Sequence, residues 1–113
     1  VDVFHCSTRR FWEPEFEGSH LNLAGWTKKL TGKPVITVGS VGLDTDFVAT
    51  FAEKRAAHCT AIDGAIGMLQ RGEVDLIAVG RALLGDPAWA AKIRAGRAAE
   101  IIAVTPEALA VLT

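Results

Sequence analysis

The sequence predicts an α/β fold in which three strands form a parallel sheet and alternate with helices. Short apolar runs rich in β-branched residues recur at 1–8, 34–39 and 74–80, and helical patterns lie between and after them. Parallel strands require such crossover segments, and the crossovers are almost always right-handed. The alternation therefore favours successive βαβ units.

The first strand is predicted for "VDVFHCST" because its apolar and polar residues alternate loosely. The second, "PVITVG", is apolar on both faces apart from Thr37, which is typical of a parallel strand covered on both sides. The third, "VDLIAVG", has the same character. All three are therefore expected to be buried strands.

Helices are predicted where apolar residues recur at helical spacing. Leu23, Trp26 and Leu30 define an apolar face, and Gly32 closes that helix. The predicted helices cover 21–32, 45–52, 61–71 and 85–96, and a further one begins at Thr105.

The start of the helix at 85–96 is predicted from its capping signals. Asp86 is the expected N-cap, Pro87 takes the first helical position and Gly96 ends the helix. Thr105 and Pro106 repeat that start.

Composition limits the class of protein. The chain has 113 residues, half of them hydrophobic, which is enough for one modest core. Its net charge of −1 gives no basic field for nucleic acid. Apolar runs of about five residues are far shorter than the roughly 20 that span a bilayer, and the first residues do not have the charged-then-apolar pattern of a secretory signal. We therefore expect a cytoplasmic protein that binds neither nucleic acid nor membranes.

Cysteine and histidine spacing gives no metal site. Cys6 and Cys59 are far apart in the sequence and are expected to be reduced structural thiols. His5, His20 and His58 have no ligand spacing around them. No metal is therefore predicted.

The three strands are expected to be part of a larger sheet. A three-stranded parallel sheet is poorly protected, because its edges and faces need neighbours. The chain also begins without Met and inside a predicted strand. We therefore expect 1–113 to be a single partial domain, the C-terminal part of a (β/α)8 TIM barrel with about strands 6–8 and their helices.

Two neighbouring strands end on glycine. Gly39, Ser40 and Gly42 follow the second strand, and Gly80 and Arg81 follow the third. Glycines let backbone N–H groups approach an anion, Ser40 adds a hydroxyl and its own N–H, and an arginine fork suits phosphate. Barrels commonly bind phosphate after strands 7 and 8. The residues alone leave a phosphate site and plain turns as equal alternatives.

These segments resemble a known family. "PVITVGSVGL", "GEVDLIAVGRALLGDPAW" and "KIRAG" resemble the C-terminal end of the Old Yellow Enzyme family, the NADH:flavin oxidoreductases, and "VDVFHCST" resembles its sixth strand. The resemblance covers nearly the whole chain. It implies an FMN-dependent TIM barrel that takes hydride from NADH or NADPH and passes it to an activated alkene.

The resemblance also implies roles for individual residues. Gly39, Ser40 and Gly42 match the family's phosphate loop after strand 7, and Gly80 and Arg81 match its phosphate contacts after strand 8. Ser7 and Thr8 are expected near the flavin edge. The family's substrate-binding side chains and tyrosine proton donor lie earlier in the barrel, and this chain has no Tyr. We therefore predict a cofactor-binding segment with no catalytic residue, inactive alone.

Two other functions remain open. The chain can belong to a different phosphate-binding TIM-barrel enzyme, in which a sugar or ring phosphate replaces FMN. It can also be a partial barrel that is inactive alone and self-associates through exposed sheet edges.

Two groups of loop residues are further candidates. Arg9 and Arg10 follow the first strand and are either a solvated pair or contacts to a phosphate or carboxylate. Phe11, Trp12 and Phe16 either cover the core or wall a substrate channel.

Overall fold

The computed structural model describes residues 1–44, 62–105 and 107, and in this part of the chain three strands form a parallel sheet. They are β1 (Phe4–Ser7), β2 (Val35–Val38) and β3 (Leu76–Ile77), in the spatial order β1-β2-β3. Phe4 lies opposite Val35, and Ile36 lies opposite Leu76. The predicted α/β class with a parallel sheet is confirmed, with β3 shorter than the predicted 74–80.

The helices follow the strands along the chain. The described ones are α1 (Leu23–Thr31), α2 (Asp63–Gln70), α3 (Arg81–Gly85), α4 (Trp89–Arg94) and a 3-10 helix at Ala98–Glu100. The helices predicted at 21–32 and 61–71 are confirmed with slightly shorter bounds. The helix predicted at 45–52 lies outside the described residues, as does most of the one predicted from Thr105.

One face of the sheet carries the core. Val35 and Thr37 of β2 are fully buried, and Cys6 of β1 is buried beside them. Ala24 of α1 and Met68 of α2 belong to the same buried apolar cluster as Val35 and Cys6. The helices therefore shield this face from solvent.

The opposite face of the sheet is open. Alternation along the strands places His5, Ser7 and Leu76 there, and all three are exposed. Leu76 is 57% exposed although it is apolar. The prediction of cover on both faces is therefore not met within the described part of the chain. Right-handed crossovers between strands added in one direction place their helices on the same side, which explains the asymmetry.

Asn22 joins α1 to the sheet and to the loop at 9–20. Its Oδ1 accepts a hydrogen bond from Gly25 N at 2.9 Å, which caps the helix. Its Nδ2 donates to Phe11 O at 2.9 Å and to Thr37 Oγ1 at 3.0 Å. Asn22 is 2% exposed, so these bonds are formed away from solvent. One side chain thereby fixes three segments of the chain.

The far end of α1 follows its predicted stop. Gly32 has a φ of 70° and its N–H donates to Lys28 O at 2.8 Å. The predicted apolar face is only partly correct, because Leu30 is 77% exposed. The buried residues of α1 are Ala24 and Gly25, and Ala24 belongs to the core cluster on the sheet.

The C-terminal helices differ from the prediction. The helix predicted at 85–96 begins only at Trp89, and the separate short helix α3 precedes it. The predicted N-cap role of Asp86 is wrong, because Ala88 is the N-cap of α4 and Asp86 is the C-cap of α3. The Oδ1 of Asp86 accepts a hydrogen bond from Ala88 N at 3.0 Å across the turn. The turn at Pro87 and Ala88 separates the two helices. Trp89 is buried in a second apolar cluster.

Asp86 also ties α4 to the segment after it. Its Oδ2 accepts hydrogen bonds from Lys92 Nζ at 2.5 Å and from Ile102 N at 3.1 Å, and the residue is 2% exposed. The Lys92 hydrogen bond, with smaller help from the backbone N–H groups, lowers the pKa of this carboxyl below its ordinary value. Asp86 is therefore held ionised and fully hydrogen-bonded.

None of the helices in the described ranges is long and apolar enough to cross a bilayer.

The Asn22 network generates a stability prediction. Asn22→Ala removes the cap of α1 and leaves Phe11 O and Thr37 Oγ1 without a buried donor, so we expect a loss of about 2 to 4 kcal/mol in the free energy of unfolding. Asn22→Ser keeps an oxygen at the cap and should lose about half as much. Urea unfolding followed by circular dichroism measures both, and an unchanged midpoint for Asn22→Ala would contradict the network.

Candidate functional site

A cleft of about 170 Å³ opens where the carboxyl ends of β1 and β2 meet the start of α3. It contains four of the five residues predicted to bind the cofactor. The full lining is Thr8, Arg9, Val38, Gly39, Ser40, Val41, Leu43, Gly80 and Arg81. The structure thus brings the two predicted glycine loops together at the carboxyl edge of the sheet.

The floor of the cleft depends on the close approach of Gly39 to Thr8. Gly39 has a φ of 146°, and a Cβ at this position would lie 2.4 Å from Thr8 O. Thr8 in turn donates to Val38 O from its N at 3.1 Å and from its Oγ1 at 2.9 Å. Phe11 N donates to Gly39 O at 2.9 Å. These bonds hold the chain after β1 against the chain after β2, and they leave no room for a side chain.

Ser40 connects the three segments that form the cleft. It has a φ of 54°, which is uncommon for a residue other than glycine. Its hydroxyl donates to Arg9 O at 2.8 Å and accepts from Arg81 Nη2 at 2.9 Å. In this structure the hydroxyl thus orients Arg81 and anchors Arg9, and its hydrogen points at the Arg9 carbonyl and not into the cleft.

Backbone N–H groups at the cleft lack acceptors. Among the hydrogen bonds of the described residues, the N–H groups of Ser40, Val41 and Gly80 donate to no protein atom. Ser40 and Val41 are nevertheless buried. The N–H groups of Ser40, Val41 and Gly80 are therefore donors for an oxyanion that enters the cleft.

The charge of the lining is positive. It contains two arginines, Arg9 and Arg81, and no acidic residue. Guanidinium groups stay protonated at all physiological pH values and form paired hydrogen bonds with phosphate or carboxylate. The chemistry of the cleft is therefore suited to an oxyanion.

Gly42 has a different environment from the other predicted residues. It is buried and has a φ of 73°, and a Cβ there would lie 3.1 Å from the indole ring of Trp89. It does not belong to the lining of the cleft. In this structure Gly42 lets the loop after β2 pack against α4, and its predicted contact with phosphate stays a prediction.

The aromatic residues of the loop at 9–20 separate into two groups. Phe11 is buried in the core, and Trp12 meets its ring edge-on at 5.4 Å between centroids. Phe16 is 57% exposed and meets the ring of Trp26 at 5.5 Å. None of the three predicted channel residues lines the cleft. Phe11 covers the core, which is the other of the two roles considered for this group.

The histidines and cysteines form no metal site in the described part of the chain. No group of three His, Cys, Asp or Glu side chains comes together there. His20 lies in a loop with its Nε2 2.6 Å from Glu73 Oε1, and Cys6 is a free, buried thiol. His58 and Cys59 lie outside the described residues.

Sequence reasoning missed part of the lining. Val41 and Leu43 lie between and after the predicted glycines, and their burial shows that the loop after β2 folds inward. Arg9 was considered only for its side chain, although its carbonyl also accepts the Ser40 hydroxyl. The apolar residues within "GSVGL" were the available signal, because a solvent-exposed turn rarely contains valine and leucine beside its glycines.

Comparisons with known proteins give one partial similarity. The chain is 35% identical over 85 residues to an NADH oxidase of Thermoanaerobacter brockii. The match covers 75% of this chain and 10% of that protein. The chain therefore spans a small part of the relative's length. No protein-family profile matches the chain.

The two cleft glycines generate a matched pair of variants. Gly39→Ala places a methyl group 2.4 Å from Thr8 O at a φ that alanine rarely adopts, so we expect a loss of about 2 to 4 kcal/mol in stability. Gly80→Ala meets no atom within 4 Å at a φ of −108° and should change stability by about 0.5 kcal/mol or less. Chemical unfolding of the two variants side by side checks this, and equal losses would show that the close approach is not needed.

Proposed function

We propose that this chain forms the phosphate-binding end of an FMN-dependent oxidoreductase of the Old Yellow Enzyme type. The observation that carries the proposal is one cleft that combines two arginines, no acidic residue and the N–H groups of Ser40, Val41 and Gly80, which have no acceptor among the described residues. The resemblance of the glycine loops to that family and the partial similarity to an NADH oxidase support it. Both point towards redox chemistry with a nicotinamide nucleotide.

The size of the cleft supports a terminal phosphate as its occupant. Pockets that enclose a whole small molecule usually measure roughly 300–1,000 Å³. At about 170 Å³ the cleft is smaller than this range. It suits one end of a ligand whose remainder extends over the carboxyl edge of the sheet.

Each residue of the proposed site has a separate task. The N–H groups of Ser40, Val41 and Gly80 would donate to the phosphate oxygens, and Arg81 would neutralise their charge. Gly39 keeps the loop pressed against Thr8, and the Ser40 hydroxyl holds the Arg81 side chain at the cleft. These residues bind and orient a cofactor, and none of them is placed to transfer a proton.

FMN, when bound, would supply the hydride transfer between NADH or NADPH and an activated alkene. The protein's contribution in this segment is to fix the cofactor at its phosphate end. The groups that bind the alkene would come from earlier strands of the same barrel, which this chain does not contain. The isolated chain is therefore expected to be inactive.

Flavin binding provides the test of the phosphate site. In the full-length protein that carries this segment, Arg81→Gln should weaken FMN binding by about 10- to 100-fold, because it removes a charge-assisted contact to phosphate. Arg81→Lys keeps the positive charge but loses the paired donors of the guanidinium group. Its affinity for FMN should therefore lie between those of the wild-type protein and Arg81→Gln. Flavin fluorescence titration measures both.

The matched controls for this test are a ligand and a variant. Riboflavin lacks the phosphate, so its affinity should not respond to Arg81→Gln. Arg94→Gln removes the same charge from an exposed position on α4 and should leave FMN binding unchanged. Equal affinities of the wild-type protein for FMN and riboflavin would rule out a phosphate site.

The open face of the sheet supports a completed barrel. His5, Ser7 and Leu76 lie on a face that no described helix covers, and Leu76 exposes more than half of its apolar surface. We propose that this face is part of the inner wall of a (β/α)8 barrel whose remaining strands belong to the full-length protein. In the isolated chain the same face and the strand edges would favour self-association.

Self-association of the isolated chain checks the barrel proposal. Sedimentation velocity should show species larger than the 12.0 kDa monomer at micromolar concentration. Leu76→Glu places a charge on the open face and should shift the distribution towards monomer, whereas Leu30→Glu, on the exposed side of α1, should not. A folded monomer for the wild-type chain at all concentrations would contradict an unfilled barrel wall.

A further inference from the structure

A second polar pocket adjoins the cleft and shares Thr8 and Arg9 with it. Its volume is about 290 Å³. Its charged lining consists of Arg9, Arg10, Glu13 and Glu15. Because the two cavities have residues in common, ligands that occupied both would lie next to each other.

Not all charged groups of this pocket have a partner among the described residues. Arg10 Nη1 lies 2.7 Å from Glu13 Oε1, so these two groups neutralise each other. The guanidinium of Arg9 forms no hydrogen bond or ion pair with any of the described residues. Arg9 is exposed, and its cationic group is thus available to a ligand.

The backbone of Arg9 is fixed although its side chain is exposed. Its carbonyl accepts the Ser40 hydroxyl at 2.8 Å, and the preceding Thr8 is bonded to Val38 O through two donors. A fixed backbone reduces the entropy lost when the side chain binds a ligand. A guanidinium held in this way favours an oxyanion, which it can bind with two parallel hydrogen bonds.

We propose that Arg9 binds an oxyanion group, phosphate or carboxylate, of the second substrate, the molecule that exchanges hydride with the cofactor. This proposal rests on the proposed function, in which the neighbouring cleft holds the cofactor's phosphate. Two sources share this chemistry. One is a phosphate of the nicotinamide nucleotide, and the other is a carboxylate on the alkene.

Glu15 provides a second variant whose expected effect on substrate binding is opposite to that of the Arg9 variant. A general loss of structure would not produce this opposite effect. It lines the same pocket, and its exposed carboxylate forms no ion pair within the described part of the chain. A carboxylate near a bound oxyanion raises the free energy of the complex. Removing the Arg9 charge should therefore weaken binding of the second substrate, and removing the Glu15 charge should strengthen it.

Steady-state kinetics on the full-length flavin-loaded protein tests this. Arg9→Gln should raise the KM of the anionic substrate about tenfold, with kcat per bound flavin unchanged, and Glu15→Gln should lower that KM about twofold to threefold. Lys33→Gln, an exposed loss of the same charge, is the matched control and should change neither.

The choice of substrates identifies the source of the oxyanion. If Arg9→Gln raises the KM for NADPH but not for NADH, the group that Arg9 binds is the 2′-phosphate. If it raises the KM for both, that group is the diphosphate. An increase for a carboxylated alkene but not for its methyl ester assigns the carboxylate. The proposal is overturned if Arg9→Gln and Lys33→Gln have the same KM for every substrate. It is also overturned if Arg9→Gln loses flavin while its KM is unchanged.

Direct binding separates this proposal from the proposed function. If the purified full-length protein retains no FMN, the proposed function fails, and titration calorimetry with NADPH and with inorganic pyrophosphate still tests Arg9. Binding that Arg9→Gln weakens and Lys33→Gln does not weaken supports the Arg9 site. Absence of binding to the wild-type protein overturns it.

Discussion

The close approach of Gly39 to Thr8 is the constraint on which the candidate site depends. The parallel pairing of β1 and β2 brings the two residues together, and the missing side chain of Gly39 lets their backbones meet. In this arrangement the hydroxyl of Ser40 donates to the carbonyl of Arg9 at 2.8 Å. The same hydroxyl then accepts the guanidinium of Arg81, which comes from the far side of β3 in sequence. Sheet geometry and a single absent Cβ thus determine where the charged groups lie.

Much of this arrangement was predictable from the sequence because it follows from strong local signals. Glycine after a β-branched run marked the end of β2, whereas β3 ends at Ile77, three residues before Gly80, and the parallel order placed both segments at one edge of the sheet. Gly32 indicated the end of α1, because glycine readily adopts the left-handed conformation in which its N–H bonds a carbonyl of the last turn. Four of the five predicted cofactor residues therefore line one cleft.

Other features depended on contacts between distant residues and could not be predicted. The spacing of Leu23 and Leu30 suggested one apolar face, but the bonds of Asn22 to Phe11 and Thr37 set the rotation of α1. The N-cap predicted at Asp86 was wrong, because α4 begins after Ala88, and the Asp86 carboxylate accepts hydrogen bonds from Ala88, Lys92 and Ile102. Arg9 is anchored through its backbone carbonyl, which every residue has, so the sequence could not indicate this contact.

The contact between Gly42 and Trp89 has a consequence for how the chain can vary. The indole of Trp89 fills the space in which a side chain at residue 42 would lie, with its nearest atom 3.1 Å from that Cβ. A larger side chain at residue 42 therefore requires a smaller one at residue 89. The effects of substitutions at the two positions on the free energy of unfolding should be non-additive. Because residue 42 has a φ of 73°, a relative with a side chain there is expected to carry Asn or Asp at position 42 together with a smaller residue at position 89. This reciprocal exchange would preserve the packing of α4 against the loop while leaving the cleft unchanged.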